Sequence, residues 1–246
     1  MMKKKALIFI FFILLVFLAV LLIWRFFREE QFHHGYDKTF QFDPLELNDN
    51  LEFILMDGSD SNSTEAVTQE SSFNWSEEYF KLLTQKFFEY ELENDVSTWQ
   101  LNSISYLTNC EKIETGFESS SQTYFKIVNE NGKKIRIRRN IYIDLQKKTI
   151  TVIEGYFHPV ALKWRTIDFS KIVYSADDIL RLTEENGGRD LREEIKNDCE
   201  INISLSHNPG EIPRWNISYN GRRSENAKID ELLRNGYDPF SGKTLP

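Results

Sequence analysis

The longest apolar run is Ala6–Trp24, ALIFIFFILLVFLAVLLIW, nineteen residues without a charge, Gly or Pro. A helix of that length rises roughly 28 Å, close to the ~30 Å hydrocarbon core of a bilayer. The run predicts a single uncleaved transmembrane anchor, with the lipid bilayer as its partner through residues 6–24. Lys3, Lys4 and Lys5 precede it, whereas Arg25 and Arg28 on the far side stand beside Glu29 and Glu30. The positive-inside rule then sets the N-terminus in the cytoplasm and residues 25–246 outside the cell membrane. A cleaved signal peptide is the rival, but its apolar region is shorter and a small-x-small site should follow, where this chain reads WRFFREE.

After the run the pattern changes period several times. Residues 25–42 read as a charged, aromatic juxtamembrane segment. Leu51–Met56, LEFILM, suits a short strand, and Asp57–Ser72 is small, polar and acidic, a linker that cannot bury a core. Asn74 with Glu77 three residues on makes a capping box, and Tyr79, Phe80, Leu83, Phe87 and Tyr90 at spacings of three and four predict one apolar helix face through about Glu93. At that spacing an aromatic stripe is core more readily than ligand surface. Period-two segments follow: Trp99–Leu107, Tyr124–Val128, Lys134–Ile143, Ile141–Leu145 and Thr149–Ile153. Asn131-Gly132 turns one hairpin by taking positive φ angles, and Gln146-Lys147-Lys148 turns another, an antiparallel meander. Tyr156–Lys171 reads as a connector.

A second helix is predicted from Ser175, with Asp177 and Asp178 in the first turn, where the helix dipole favours negative charge. Ala176, Ile179, Leu180 and Thr183 form its apolar side, and Gly187-Gly188 stops it. Two alternating strands, EINISLS (Glu200–Ser206) and RWNISYN (Arg214–Asn220), come next, while Ala227–Arg234 suits either a helix or an irregular strand. The order helix, strand, strand, strand thus occurs twice. The predicted fold class is α+β: an N-terminal single transmembrane helix, then two tandem helix-plus-antiparallel-meander (αβββ) units. The predicted divisions are 1–24 tip and anchor, 25–72 juxtamembrane segment and linker, 73–160 first unit and 161–246 second unit.

Charge narrows the partners. The chain carries 30 Lys and Arg against 38 Asp and Glu, a formal net charge of −8, which argues against nucleic acid. The basic strand KKIRIRRN sets Lys134, Arg136 and Arg138 on one face, either a contact for an anion or acidic partner, or a solvated face that balances nearby acids. Cys110 and Cys199 either close a disulfide in an oxidising exterior or stay as two buried thiols. Neither belongs to a CxxC or Cys/His cluster, and the vicinal His33-His34 lacks further ligands at useful spacing, so no metal site is expected. Sequons begin at Asn62, Asn74, Asn202 and Asn216. Only His158 and His207 lie in the predicted folded region, with no GxSxG, P-loop, GxGxxG or HExxH motif; no catalytic residues and no cofactor are assigned.

The stretch SADDILRLTEENGG (Ser175–Gly188), the strand pair EINISLS and RWNISYN, and the closing DPFSGK (Asp238–Lys243) resemble the PepSY-like family of small extracytoplasmic α+β domains. The resemblance covers roughly the last 70 residues, and the first copy shares only the order of elements. It implies a membrane-anchored, non-catalytic module that contacts or restrains a cell-envelope protein such as a peptidase, and it carries no catalytic residues. The alternatives are an envelope hydrolase acting on peptide or glycan, and a structural subunit of a membrane complex.

Overall fold

The computed structural model describes residues 12–20, 31–44, 51–56, 75–92, 98–157, 166–207, 212–221 and 231–245. Its centre is one ten-stranded antiparallel sheet: β1 (Gln31–Gln41), β2 (Ile54–Leu55), β3 (Gln100–Asn109), β4 (Ser119–Glu130), β5 (Lys133–Asp144), β6 (Thr149–Phe157), β7 (Cys199–Ser206), β8 (Arg214–Gly221), β9 (Glu231–Tyr237) and β10 (Thr244–Leu245). The spatial order is β10-β9-β8-β7-β3-β4-β5-β6-β1-β2. Helix α1 (Glu77–Leu92) precedes β3, and α2 (Ala176–Thr183) and α3 (Arg189–Glu194) precede β7.

This topology corrects the expectation of two tandem αβββ units behind a transmembrane helix. Each half is a helix followed by a meander, but the leading strands β3 and β7 pair with each other from Ser103↔Ser206 to Asn109↔Glu200. The meanders therefore run outward in opposite directions within a single sheet. A three-stranded unit leaves an unpaired edge on its leading strand, and pairing β3 to β7 removes both such edges at once. The remaining outer edges, β2 and β10, are two residues long.

The anchor expectation is corrected as well. Residues 12–20 are helical, and the rest of 6–24 lies outside the described residues. Among the described residues no helix is long and apolar enough to cross a membrane. The segment read as juxtamembrane holds β1, which pairs with β6 through two register shifts. Gly35 lies within the second shift, between His34 and Asp37, and a Cβ there would stand 2.8 Å from the Tyr156 ring. The linker 57–72, Asn74 and its cap lie outside the described residues.

Local chemistry accounts for the turns and caps. Asn131 (φ 52°) and Gly132 (φ 76°) form a two-residue loop between β4 and β5, as the twist of paired strands favours. Ser175 caps α2 by accepting from the Asp178 amide while the Asp178 carboxylate accepts from the Ser175 amide. Beyond α2 a π-helical turn, Glu184–Gly188, carries Gly187 at φ 105° before α3 resumes. Ala227–Arg234 resolves in part: β9 begins at Glu231, and 227–230 lie outside the described residues.

The helices cover one face of the sheet. Phe80, Leu83, Phe87 and Phe88 of α1 are buried against Phe40, Tyr106 and Tyr124, with ring centroids 5.2 to 5.7 Å apart. The buried stripe is rotated from the predicted one: Tyr90 is exposed, whereas Thr84 and Phe88 are buried. Ala176, Ile179, Leu180 and Thr183 of α2 join a common core with Ile201, Ile203, Leu205, Trp215 and Ile217. Burying each large apolar side chain stabilises the fold by roughly 1.5 to 3 kcal/mol, so this shared layer holds both halves to the sheet.

Candidate functional site

Strand parity sends alternate residues to opposite faces of the sheet. On the helical side stand Ile104, Tyr106, Ile141, Ile143, Val152, Ile201, Ile203 and Leu205, all buried. Their neighbours on the other side are mostly part-buried and polar, with Tyr142 exposed and Asp144 and Glu200 charged. A central row of that face, which carries no helix among the described residues, crosses eight strands. Thr39 of β1 faces Thr151 of β6, their hydroxyls 3.0 Å apart. Thr151 faces Tyr142 of β5, and Tyr142 faces Ser121 of β4. Ser121 faces Ser105 of β3, and Ser105 faces Ser204 of β7. Ser204 faces Asn216 of β8, which faces Gly236 of β9.

Flanking rows continue the pattern. Asn140, Thr123, Ser103 and Ser206 lie between Ile153 and Arg214, with Thr123 Oγ1 donating to Asn140 Oδ1 at 3.1 Å. Ser119, Leu107, Asn202 and Ser218 lie between Asp144 and Arg234. Charge is 28% of the chain and reaches the ends of these flanking rows, but none stands in the central row. A one-layer sheet needs a wettable outer face, which Lys and Glu would also supply. Small hydroxyls and amides leave it flat as well as polar. Tyr142 is the exception, 42% exposed in the middle of the row.

Lys134, Arg136 and Arg138 share this side of β5 but do not form one open cationic grip. Lys134 is exposed and Arg138 half-buried, while Arg136 is buried, 1% exposed. The Arg136 guanidinium lies 5.1 Å from the Phe125 ring and 5.7 Å from Phe157, and Arg138 stands 4.5 Å over Phe157. Cation–π packing on two buried rings contributes to holding the sequestered cation. The alternation in KKIRIRRN gives the shared face; the aromatics come from β4 and β6 through register.

Buried charge on the helical side is tied to partners. Arg139 pairs with Glu154 through Nε, at 3.1 Å, and Nη2, its guanidinium 4.2 Å from the Trp99 ring. Tyr156 donates its hydroxyl to the same carboxylate at 3.0 Å. Tyr36, beside this pair, is raised to about 12, chiefly by desolvation and against the pull of Arg139. In the other half Glu184 receives Arg192 Nε at 3.0 Å and the Tyr219 hydroxyl at 2.7 Å. Burial, then the Glu184 carboxylate, push the Tyr219 phenol far above its ordinary value. The two helix N-termini also exchange caps: the Glu77 amide donates to Asp177 Oδ2 at 2.9 Å, and the Ala176 amide donates to the Glu77 carboxylate.

Cys110 and Cys199 are joined by a disulfide, Cα atoms 5.3 Å apart. They flank the last β3–β7 pair, Asn109↔Glu200, so the bond staples the seam between the halves. His34 is exposed on β1 and His207 Nδ1 lies 3.3 Å from the Thr166 carbonyl oxygen; His158 lies outside the described residues. Among the described residues no group of three His, Cys, Asp or Glu could hold a metal ion. Of the sequons, Asn202 and Asn216 lie on the helix-free face, and Asn62 and Asn74 lie outside the described residues.

No family model matches the chain, and no curated protein matches it. The PepSY-like resemblance therefore gains no support and is not carried further. Among solved structures the chain is similar to a MaoC-like dehydratase from Phytophthora Capsici, at 10% identity over 62% of this chain and 70% of that one, with a TM-score of 0.18. A likeness that slight carries no functional argument.

Proposed function

We propose that this chain is a non-catalytic binding module of an oxidising, extracytoplasmic compartment that meets a cell-envelope component with its helix-free sheet face. The observation that carries the reading is the uncharged row from Thr39 to Asn216, polar side chains of seven strands that are part-buried apart from the exposed Tyr142. The buried disulfide supports the compartment, because such bonds persist where thiol reductants are scarce. The buried carboxylates support the non-catalytic role. Glu154 and Glu184 are each held by an arginine and a tyrosine, and a general base needs a carboxylate within reach of substrate.

The test is site-specific photocrosslinking in intact cells. A benzophenone amino acid replaces Tyr142 on the open face or, in a second strain, Leu82 on the exposed side of α1. Adducts should form from position 142 and be absent from position 82. Equal labelling from both, or labelling from 82 alone, overturns the reading.

A further inference from the structure

We infer that Asn131 is a site of spontaneous covalent modification, at which the native protein loses ammonia through a succinimide and acquires aspartate and isoaspartate in the β4–β5 turn. The reaction is intramolecular. The Gly132 amide nitrogen attacks the Asn131 side-chain carbonyl carbon, and the new N–C bond closes a five-membered ring. The bond from that carbon to Nδ2 breaks, and ammonia leaves with the proton that the backbone nitrogen gives up. Water then opens the ring at either carbonyl. One opening gives aspartate; the other routes the backbone through the side chain and gives isoaspartate. A glycine after the asparagine favours ring closure, because it has no Cβ to obstruct the approach and its backbone rotates widely.

The chain offers this pair four times: Asn131-Gly132, Asn186-Gly187, Asn220-Gly221 and Asn235-Gly236. The fold restrains three of them. Asn186 donates its side-chain nitrogen to the Leu182 carbonyl oxygen at 2.6 Å. Asn220 donates to Ser218 Oγ at 3.3 Å and stands with Gly221 in β8, opposite Glu200 and the disulfide-bonded Cys199. Gly236 lies between Asn216 of β8 and Leu245 of β10. Attack needs the two atoms within about 3 to 3.5 Å, and these pairs must first give up ladder or side-chain hydrogen bonds. Asn131 and Gly132 are the loop between the paired Glu130 and Lys133. Both are exposed, and among the described residues no hydrogen bond ties the Asn131 side chain. In a two-residue loop the ladder closes through the flanking residues, which leaves the Gly132 amide outside it. The φ angles of 52° and 76° must change to bring the reacting atoms together. Nothing lies within 4 Å of where a Gly132 Cβ would stand, so that rotation displaces no neighbour. Isoaspartate adds a backbone methylene to a loop whose length sets the β4–β5 register, and either product adds a negative charge beside Glu130.

The experiment ages the full native chain at mildly alkaline pH and follows each Asn-Gly pair by peptide mapping, with fragmentation that separates aspartate from isoaspartate. A parallel sample stays reduced and unfolded in guanidinium chloride. In the native chain Asn131 should convert about tenfold faster than Asn186, Asn220 or Asn235, which need a local opening first; unfolded, the four rates should agree within about threefold. Asn131→Gln lacks the five-membered route and should leave that peptide unmodified, which also separates Asn131 from Asn129 beside it. Circular dichroism confirms that the variant is folded. Native conversion led by another pair, equal native rates at all four, or an unchanged Asn131 after the unfolded sample has reacted overturns the inference. A mass shift that persists in the Asn131→Gln peptide places the reaction at another residue and overturns it as well.

Discussion

The two halves of the sheet follow one plan with different materials. The first uses a single sixteen-residue helix, strands of nine to twelve residues and an aromatic core of Phe80, Phe87, Phe88, Tyr106, Phe117 and Tyr124. The second breaks its helix at Gly187, uses shorter strands, and packs α2 on Ile201, Ile203, Leu205 and Ile217. Each half buries one arginine–carboxylate pair under its helices. In the first the pair runs strand to strand, Arg139 to Glu154; in the second it runs across the helical kink, Glu184 to Arg192. The first ion pair therefore fixes strand register, and the second fixes the re-entry of a helix that glycine has interrupted. Repeats that share a topology need not share the residues that enforce it.

The largest effect should come from unfastening the halves. Cys110→Ala with Cys199→Ala opens an 89-residue loop, worth about 4 to 5 kcal/mol in the chain-entropy model. Chemical denaturation of the double variant should show the unfolding free energy falling by that amount, with a steeper slope because the uncrosslinked denatured chain exposes more surface. If instead two transitions appear, the seam rather than the common core couples the halves. Next in size, Arg139→Ala strands a buried carboxylate and should cost about 3 to 5 kcal/mol. Arg192→Ala should cost somewhat less: each carboxylate keeps a tyrosine donor, but the Arg192–Glu184 side chains are 11% and 9% exposed against 7% and 5% for Arg139–Glu154. Equal costs in the two variants would erase the contrast drawn between register and kink.

A smaller effect separates the two glycines of the kink. Gly187 has open space where a Cβ would stand but sits at φ 105°, so Gly187→Ala strains only the backbone, by about 1 to 2 kcal/mol. Gly188 is backbone-ordinary, yet a Cβ would lie 2.7 Å from the Tyr219 hydroxyl and 2.9 Å from the Thr183 carbonyl oxygen. Gly188→Ala should cost about 1 to 3 kcal/mol by overpacking and displace that hydroxyl from Glu184. Ultraviolet titration reads the difference: the Tyr219 phenol should ionise at lower pH in Gly188→Ala and stay put in Gly187→Ala.

Features set within a few residues of sequence were legible. Asn131-Gly132, the start of α2 at Ser175 and the alternation of EINISLS and RWNISYN all appear where their local chemistry puts them. What depended on distant partners was not. β1 carries charge, aromatics and Gly35, and becomes a strand only against β6, with two register shifts to accommodate it. Glu77 reads as a solvent-facing capping residue, yet it is 1% exposed because the α2 N-terminus, 99 residues on, supplies its donor. The union of the meanders rests on β3–β7 pairing, which no local pattern encodes. The neutral row combines both kinds: alternation tells which side chains leave the core, but only register aligns them across eight strands.

The exchanged caps give the finest test of how the halves meet. Asp177 accepts the Glu77 amide at 2.9 Å, and its carboxyl is raised above the ordinary value, first by desolvation and further by the nearby Glu77, with the backbone hydrogen bond opposing. Lys81, 2.6 Å from Glu77, and Asp178 are the other charges at this junction. An acid whose folded pKa exceeds its unfolded value binds more protons in the native state. Its contribution to stability therefore falls as pH rises through the carboxylate range. Asp177→Asn keeps an acceptor for the amide and removes the charge, so the variant should be slightly more stable than the parent at pH 7. The gain should vanish as pH falls below the range where the parent carboxyl protonates. Asp177→Ala, which also removes the acceptor, should instead lose about 1 kcal/mol at acidic pH and less at pH 7, where it too sheds the unfavourable charge. Thermal melts of the three proteins at acidic and neutral pH distinguish these outcomes. Should Asp177→Asn and Asp177→Ala behave alike, the amide is indifferent to its partner, and the halves are joined by the sheet and the disulfide alone.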